Sequence, residues 1–226
     1  MPSLLQQHEQ RELEELRQAA EKLVDGGRDP AHDWQHIMRV YRNAEAIGRE
    51  EGADMKVLLT SALLHDLVVY PKGSAKHSKS SDDSADLAEK LLLERGWPKD
   101  KVDRVSYCIR IHSYSKNIIP STLEGKILQD ADRLDALGAI GIARTFSVGG
   151  TENRPFYNPS DPFCESEKRQ PDDRRWTLDH FQAKLLKLHM TLHTPAARRI
   201  ARERTKFMEL FTEQLRKEIS SPSPPR

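Results

Sequence analysis

The stretch VLLTSALLHDLVV, residues 57–69, is the part of the sequence that decides the fold. Its residues are apolar on nearly every side, which is typical of a helix that is buried all round. His65 and Asp66 lie inside it, and a buried carboxylate without a partner costs several kcal/mol. We therefore expect a cation beside Asp66, with a metal ion as one option. The alternative is a satisfied core histidine that pairs with its neighbour or with an arginine.

The rest of the chain is typical of an all-α protein. The 226 residues carry 36 basic and 35 acidic side chains, so nothing indicates a general binder of nucleic acid or of membrane surfaces. Pro and Gly separate stretches of helical periodicity, and we find no strand alternation. The periodicity predicts helices at about 5–25, 33–51, 54–70, 82–95, 98–112, 121–147, 176–192 and 195–219.

The ends of the chain and its cysteines bear on location and domain organisation. The first residues are charged and helical rather than a signal sequence. Cys108 and Cys164 show no disulfide or metal spacing. We predict a cytoplasmic protein with reduced thiols and a single domain over residues 1–219. The final SSPSPPR, residues 220–226, is predicted to be a disordered tail.

The segment GGTENRPFYNPSDPFCESEKRQPDDRR, residues 149–175, interrupts the helical pattern. Its four prolines exclude one continuous helix. Irregular segments of this length are often lids or binding loops. One hypothesis is a lid over the substrate, with Arg154, Lys168 and Arg169 contributing charge. The other is a surface excursion without a role.

A second cluster of polar residues lies in AHDWQHIMRV, residues 31–40. Asp33 is well placed as the N-cap of a helix, which gives it a structural role. His32 precedes that cap and is predicted to lie in a loop. His36 falls on the apolar side of the helix and is the candidate ligand, while Arg39, one turn further on, could hold an anion.

A third cluster lies in KILQDADRLDALGAIGIAR, residues 126–144, where three aspartates interrupt an apolar helical pattern: Asp130, Asp132 and Asp135. Asp132 and Asp135 are i, i+3 neighbours and are expected to share one helix face. Two carboxylates that point into a core again require a cation. Salt bridges to Arg133 or Arg144 are the alternative.

Together, His36, His65, Asp66 and Asp132 provide imidazole and carboxylate ligands from three helices. This mixed shell suits Mn, Fe, Co, Ni or Zn better than Ca, and it leaves positions open for water.

The signatures AHDWQHIMRV, ALLHDL, IRIHSYS, ILQDADRLDALGAIGIAR and LDHFQAKLLKL resemble the HD-domain metal-dependent phosphohydrolase superfamily over about residues 15–215. Within it they resemble a bacterial-type branch that includes nucleoside-triphosphate pyrophosphohydrolases. The resemblance implies a helical HD fold in which His36, His65, Asp66 and Asp132 hold one divalent metal, with Mg also possible. It also implies a small phosphorylated substrate, a nucleotide above all, and a homodimer is one possible assembly.

The chain departs from these relatives after the His-Asp pair. Pyrophosphohydrolase members often carry HDxxDxK, whereas HDLVVYPK has no carboxylate between Asp66 and Lys72. No general base is therefore assigned to this loop.

The resemblance implies hydrolysis of a phosphoester or phosphoanhydride. The residues expected to neutralise charge on the phosphoryl group are Arg39, Lys72, Lys79 and Arg133. His112 is a proton donor, a phosphate contact or a satisfied helix-end histidine. Asp135 either orients a metal-bound water or supports Arg133. A phosphodiesterase and a non-catalytic nucleotide-binding regulatory module are the alternative functions.

Overall fold

The computed structural model describes residues 4–24, 33–70 and 74–220, with side chains from Gln10 onward. These residues form helices and contain no strand, which confirms the all-α prediction. No helix among them is long and apolar enough to cross a membrane. The α-helices are α1 (Leu4–Val24), α2 (Trp34–Glu51), α3 (Met55–Leu64), α4 (Ser80–Glu94), α5 (Lys99–Ile111), α6 (Leu123–Leu134), α7 (Gly138–Thr151), α8 (Leu186–Leu188) and α9 (Pro195–Ser220).

The chain divides into two compact units. The first unit comprises Met1–Leu134 and His193–Ala197, and the second comprises Asp135–Leu192 and Arg198–Arg226. In the first unit α3 is the central helix, since it contacts α1, α2, α4, α5 and α6. All its residues from Val57 to Leu64 are buried. The prediction of a helix buried all round is confirmed.

α3 is shorter than predicted, because it ends at Leu64 and not near residue 70. Two serines at the start of α4 take over the backbone groups that follow. Ser84 Oγ accepts from Val68 N at 3.0 Å and donates to Val68 O at 3.1 Å. Ser80 Oγ accepts from Tyr70 N at 3.2 Å. Side chains thus replace the helical hydrogen bonds beyond His65.

The single helix predicted over 121–147 is wrong. α6 ends at Leu134 and α7 begins at Gly138, whose φ of 70° is in the left-handed region that favours glycine. A Cβ on Gly141 would lie 2.2 Å from Ala136 O. The two glycines therefore permit a tight turn between the two helices.

In the second unit an irregular segment runs from 152 to 178, which confirms the predicted long loop before the C-terminal helices. The regular helix predicted over 176–192 is wrong, because Thr177 N and Leu178 N bond to Pro155 O and Phe156 O instead of to a helix. Short helical turns follow: a π-helical Phe181–Leu185, then α8, then a 3-10 turn His189–Thr191.

The apolar stripe predicted for this region does face the core. Leu178, Phe181, Leu185 and Leu188 are at most 3% exposed. The Phe181 ring lies 6.1 Å from the Phe211 ring in a stacked arrangement. The four residues of the predicted stripe are therefore buried, although this part of the chain forms short turns and not one regular helix.

The irregular segment is held by its own ion pairs. Arg169 bonds both Asp161 and the fully buried Asp179. Arg154 donates to Asp173 O and lies 3.1 Å from Glu152. Arg154 and Arg169 are two of the three basic side chains that the lid hypothesis expects to contribute charge, and both already bond to acceptors within their own unit.

Lys168, the third basic residue, is exposed. The lid stays a prediction. The tail predicted for residues 220–226 lies outside the described residues beyond Ser220, which is the last residue of α9.

Candidate metal centre

The four predicted ligands come from three helices of the first unit. His36 lies in the first turn of α2, His65 caps the C-terminus of α3 with Asp66 directly after it, and Asp132 lies near the end of α6. His36 and His65 are buried, Asp66 is 8% exposed and Asp132 is half-buried. The structure thus brings the predicted set to one place.

At the start of α2, Asp33 has a structural role that distinguishes it from the candidate ligand His36. Asp33 is the N-cap, and its Oδ1 accepts from His36 N at 2.8 Å. This confirms the predicted cap, which directs the Asp33 carboxylate to the backbone of α2. His32, the rejected ligand, lies outside the described residues.

The donor atoms are spaced for a common ion. His36 Nε2 lies 3.7 Å from Asp66 Oδ2 and 3.5 Å from Asp132 Oδ1, and His65 Nε2 lies 3.7 Å from Asp66 Oδ2. One donor atom from each of His36, His65 and Asp66 lies within 4.8 Å of the others. Donors around one transition-metal ion are about 3 to 4 Å apart, since each bond is about 2.0–2.2 Å long.

His65 supplies an independent test of whether a metal fits. Its Nδ1 donates to Ala62 O at 2.8 Å, which leaves Nε2 as the nitrogen with a lone pair. That Nε2 is buried and has no hydrogen-bond partner among the described residues. Buried polar atoms are rarely left without a partner, so the position suits a metal ligand.

The protonation states also match a metal site. Burial lowers the pKa of His65 to about 4, which keeps its imidazole neutral. Burial alone would raise the pKa of Asp66, but His65, His112 and His36 together hold that pKa well below its ordinary value. A neutral imidazole beside an ionised carboxylate is the form in which both residues bind metal.

His112 follows α5 and lies against this cluster. Its Nε2 is 3.4 Å from Asp66 Oδ1, and its Nδ1 donates to Ile109 O at 2.7 Å. Its ring centroid lies 5.0 Å from that of His65. Burial lowers the pKa of His112, but the hydrogen bond to Asp66 and the charges of Asp66 and Asp132 together outweigh burial, so the net pKa is raised. The sequence-based selection of His112 therefore identified a residue beside the ligands.

Asp135 does not share a helix face with Asp132, so that part of the prediction is wrong. α6 ends at Leu134, and Asp135 lies in the turn that follows, in the second unit. Its Oδ2 accepts from Arg144 Nη1 at 2.6 Å, as the salt-bridge alternative expected. A catalytic role for Asp135 stays a prediction. Asp130, the remaining aspartate of this cluster, accepts from the backbone N–H groups of His193 and Thr194, each at 2.8 Å.

The predicted phosphate contacts have different surroundings. Arg39 is half-buried on α2, one turn after His36, and Lys79 is exposed in the 3-10 turn His77–Lys79. Arg133 is 9% exposed and directly follows Asp132. Lys72 lies outside the described residues.

The sequence analysis missed the residues that support Arg133. Gln129 Oε1 accepts from Arg133 Nη2 at 2.8 Å, and His193 Nε2 lies 2.9 Å from Gln129 Oε1 and 3.3 Å from Arg133 Nη1. The guanidinium carbon of Arg133 lies 5.4 Å from the centroid of the Tyr114 ring. Only the i, i+4 spacing of Gln129 and Arg133 on a helix was visible in the sequence.

Comparison with known proteins places the chain in a family. The HD domain model matches residues 33–137. The chain is 35% identical over 192 residues to the uncharacterised protein YpgQ of Bacillus subtilis, covering 83% of this chain and 84% of YpgQ.

Solved structures agree with this relation. The crystal structure of B. subtilis YpgQ in complex with ADP matches with a TM-score of 0.72 and 33% identity, over 94% of this chain and 97% of that one. An HD-superfamily hydrolase from Bacillus thuringiensis matches with a TM-score of 0.75 and 34% identity, over 95% of this chain and all of that one. Together with the buried His65-Asp66 pair, these matches show that the chain belongs to the HD domain superfamily.

Proposed function

We propose that this protein is a metal-dependent phosphohydrolase that acts on nucleotides or related phosphate esters and anhydrides. One observation carries the proposal: His65 Nε2, which has no hydrogen-bond partner in the described part of the chain, lies in a buried cluster with His36 Nε2, Asp66 Oδ2 and Asp132 Oδ1. Membership of a superfamily that includes hydrolases supports the reaction type.

The four ligands would hold one divalent ion, with Mn, Co, Ni, Fe, Zn or Mg as candidates. Such an ion supplies Lewis acidity that activates water and polarises a phosphoryl oxygen. The four side chains come from separate helix ends and turns, so the ligand geometry depends on the packing of α2, α3 and α6.

His112 is proposed as the proton donor or as a phosphate contact. Because its Nδ1 donates to Ile109 O, the ring is fixed with Nε2 directed to Asp66 Oδ1. A histidine fixed in this way can hold a proton at Nε2 close to the reacting group.

Arg39, Arg133, Lys79 and Lys72 are proposed to neutralise the charge of the phosphates. Arg133 has the strongest structural support, because it follows a metal ligand and its guanidinium is held by Gln129. Lys79 is exposed and has the weakest support.

A nucleotide substrate is supported by the ADP complex of YpgQ, which this chain matches over almost its whole length. Nucleoside-triphosphate pyrophosphatase activity is one form of the proposal, and release of phosphate is another. A phosphodiesterase is the alternative enzyme. A regulatory nucleotide-binding module is less well supported, because binding alone needs no activated water.

The test is a panel of nucleoside triphosphates, diphosphates, monophosphates, cyclic nucleotides and a linear diester, each with Mn, Co or Ni. Chromatography of the products then identifies the bond that is broken. Pyrophosphate, orthophosphate or a monophosphate from a cyclic substrate would each define one activity. The His65→Ala variant should be inactive and the His77→Ala variant active. No turnover of any compound by the metal-loaded protein would contradict the proposal.

A further inference from the structure

Gln129 lies at the centre of a buried hydrogen-bond cluster on α6. Its side chain is fully buried, and Nε2 donates to Ile111 O and Ile118 O, each at 2.8 Å. Oε1 accepts from Arg133 Nη2 at 2.8 Å, and His193 Nε2 lies 2.9 Å from Oε1 and 3.3 Å from Arg133 Nη1. A primary amide has two N–H donors, and here both donate to backbone carbonyls while Oε1 accepts from Arg133. The amide can therefore satisfy its partners in only one orientation.

These bonds join the two segments that border the metal centre. Ile111 directly precedes His112, and Ile118 lies in the loop that follows it. Arg133 directly follows the ligand Asp132. The amide of Gln129 thus holds the backbone on both sides of His112 and the guanidinium of Arg133 at the same time.

The ring of Tyr114 adds a second contact to the same guanidinium, with the Arg133 guanidinium carbon 5.4 Å from its centroid. Tyr114 lies in the loop whose two ends Gln129 holds. An arginine side chain has many rotamers, and a planar guanidinium loses less freedom on binding when it is already oriented. Both contacts reduce the range of orientations open to Arg133.

We propose that Gln129 is a positioning residue that orients the Arg133 guanidinium for phosphate binding. The inference rests on the proposed function, because it assumes that Arg133 contacts a phosphate. Gln129 itself contacts no substrate in this proposal, and it is not a metal ligand.

A double-mutant cycle tests this inference with the full chain, loaded with Mn. The variants are Gln129→Met, Arg133→Met and their combination, and the probe is ADP, whose Kd is measured by calorimetry. Metal content and the thermal unfolding midpoint are measured on each variant. Gln18→Met, on the exposed face of α1, is the matched control for the same substitution.

We expect Gln129→Met to weaken ADP binding roughly ten- to hundredfold, because misplacement of a binding group has effects of that size. The double variant should bind ADP no more weakly than Arg133→Met alone. Metal content should stay at that of the wild type, and Gln18→Met should bind ADP normally. If Gln129 only stabilised the fold, Gln129→Met would lower the unfolding midpoint, and its effect on the Kd would persist in the Arg133→Met background.

The outcomes separate the two proposals. Additive effects of Gln129→Met and Arg133→Met on the Kd, or no effect of a folded Gln129→Met, would overturn the role of Gln129. Normal ADP binding by Arg133→Met would overturn the phosphate contact assigned under the proposed function. If Gln129→Met does not fold, Gln129→Asn replaces it, since it keeps the amide donors and acceptors and only shortens the side chain by one methylene. The displaced amide should weaken ADP binding, and this effect should disappear in the Arg133→Met background.

Discussion

At the scale of single residues, the position of His65 at the end of α3 fixes the orientation of its ring as a proposed metal ligand. It is the C-cap of α3, and its Nδ1 bonds the carbonyl of Ala62 three residues earlier. This local bond selects the tautomer and turns Nε2 towards Asp66 and His36. Donation from one ring nitrogen to a carbonyl also raises the basicity of the other nitrogen, which is the one that would bind the metal.

Loss of this nitrogen should remove the metal. We expect His65→Ala to reduce the metal content of the purified protein from about one ion per chain to a trace, since a ligand of a single-ion site is lost. Inductively coupled plasma mass spectrometry measures this. His77→Ala and His32→Ala are matched controls and should keep the metal. Equal loss in the His32 variant would show that the wrong histidine was selected.

The depressed pKa of His65 predicts a pH effect on the metal-free protein. Histidine in the unfolded chain titrates near 6.5, whereas burial lowers the pKa of His65 to about 4. As pH falls from 6.5 to 4, the unfolded state takes up a proton that the folded state does not, so the free energy of unfolding decreases by on the order of 3 kcal/mol.

Urea unfolding of the EDTA-treated protein at pH 6.5 and 4.5 measures this effect. The pKa of His112 is raised, so its contribution changes above pH 6.5 and does not oppose the effect within this window. The decrease should be smaller in His65→Ala. Equal decreases in the variant and the wild type would show that His65 does not titrate as described.

At the scale of elements, the register of α2 against α6 brings two ligands together. Asn43 Nδ2 on α2 donates to Ala131 O at 3.2 Å. This carbonyl lies in the last turn of α6, where helical carbonyls lack intrahelical partners. His36 lies two turns before Asn43, and Asp132 directly follows Ala131, so the bond supports the approach of His36 to Asp132.

The turn between α6 and α7 should not tolerate a side chain at Gly141. A Cβ there would lie 2.2 Å from Ala136 O, so the backbone must shift in Gly141→Ala. We expect a loss of about 1–3 kcal/mol in the free energy of unfolding. A Cβ added at Gly150, also in α7, would have no atom of the described residues within 4 Å. Gly150→Ala should therefore leave stability unchanged or raise it by up to about 1 kcal/mol. Chemical denaturation that ranks the two variants in the opposite order would contradict this turn.

The aromatic cluster of the second unit predicts a large effect at one ring. Phe181 is 1% exposed and lies near the rings of Phe211 and Phe146. Phe181→Ala should cost about 3–5 kcal/mol, because it removes a buried ring and leaves a cavity. Phe207 is 49% exposed, and Phe207→Ala should cost far less. Denaturation gives both values, and metal content should not change in either variant. Normal stability of Phe181→Ala together with lost turnover would show a catalytic rather than a structural role.

At the scale of the whole molecule, all four proposed ligands belong to the first unit. A ligand that binds only the folded state stabilises it by about 2.7 kcal/mol at a concentration of one hundred times its Kd. Metal binding should therefore stabilise the first unit directly.

Trp97 reports on that unit, because it is 5% exposed in its core, whereas Trp176 lies in the second unit. In a Trp34→Phe, Trp176→Phe background, we expect added Mn to raise the unfolding midpoint followed by Trp97 fluorescence. The same background with Asp132→Asn should respond much less. A midpoint that ignores Mn in both proteins would argue against the site.

The class of the fold and the set of proposed ligands follow from local patterns in the amino-acid sequence. The apolar run of residues 57–69 predicted a helix buried all round, and the cap predicted at Asp33 made His36 the candidate ligand in place of His32. The buried helix and the cap are confirmed, because helical periodicity and capping depend on residues a few positions apart. The choice of His36 as a ligand stays a prediction. The break after Leu134 was not predicted, although Gly138 and Gly141 are a local signal for a helix end.

The tertiary structure alone decided which distant groups meet. His193 bonds Gln129 across 64 positions, and Asn43 reaches Ala131 across 88. The packing of the helices also places His112 Nε2 beside Asp66 and leaves Asp135 with Arg144. Helical periodicity shows which face of a helix is buried. It does not specify which polar groups of the other helices that face contacts. That choice depends on the register of packed helices, which is set by all their contacts together.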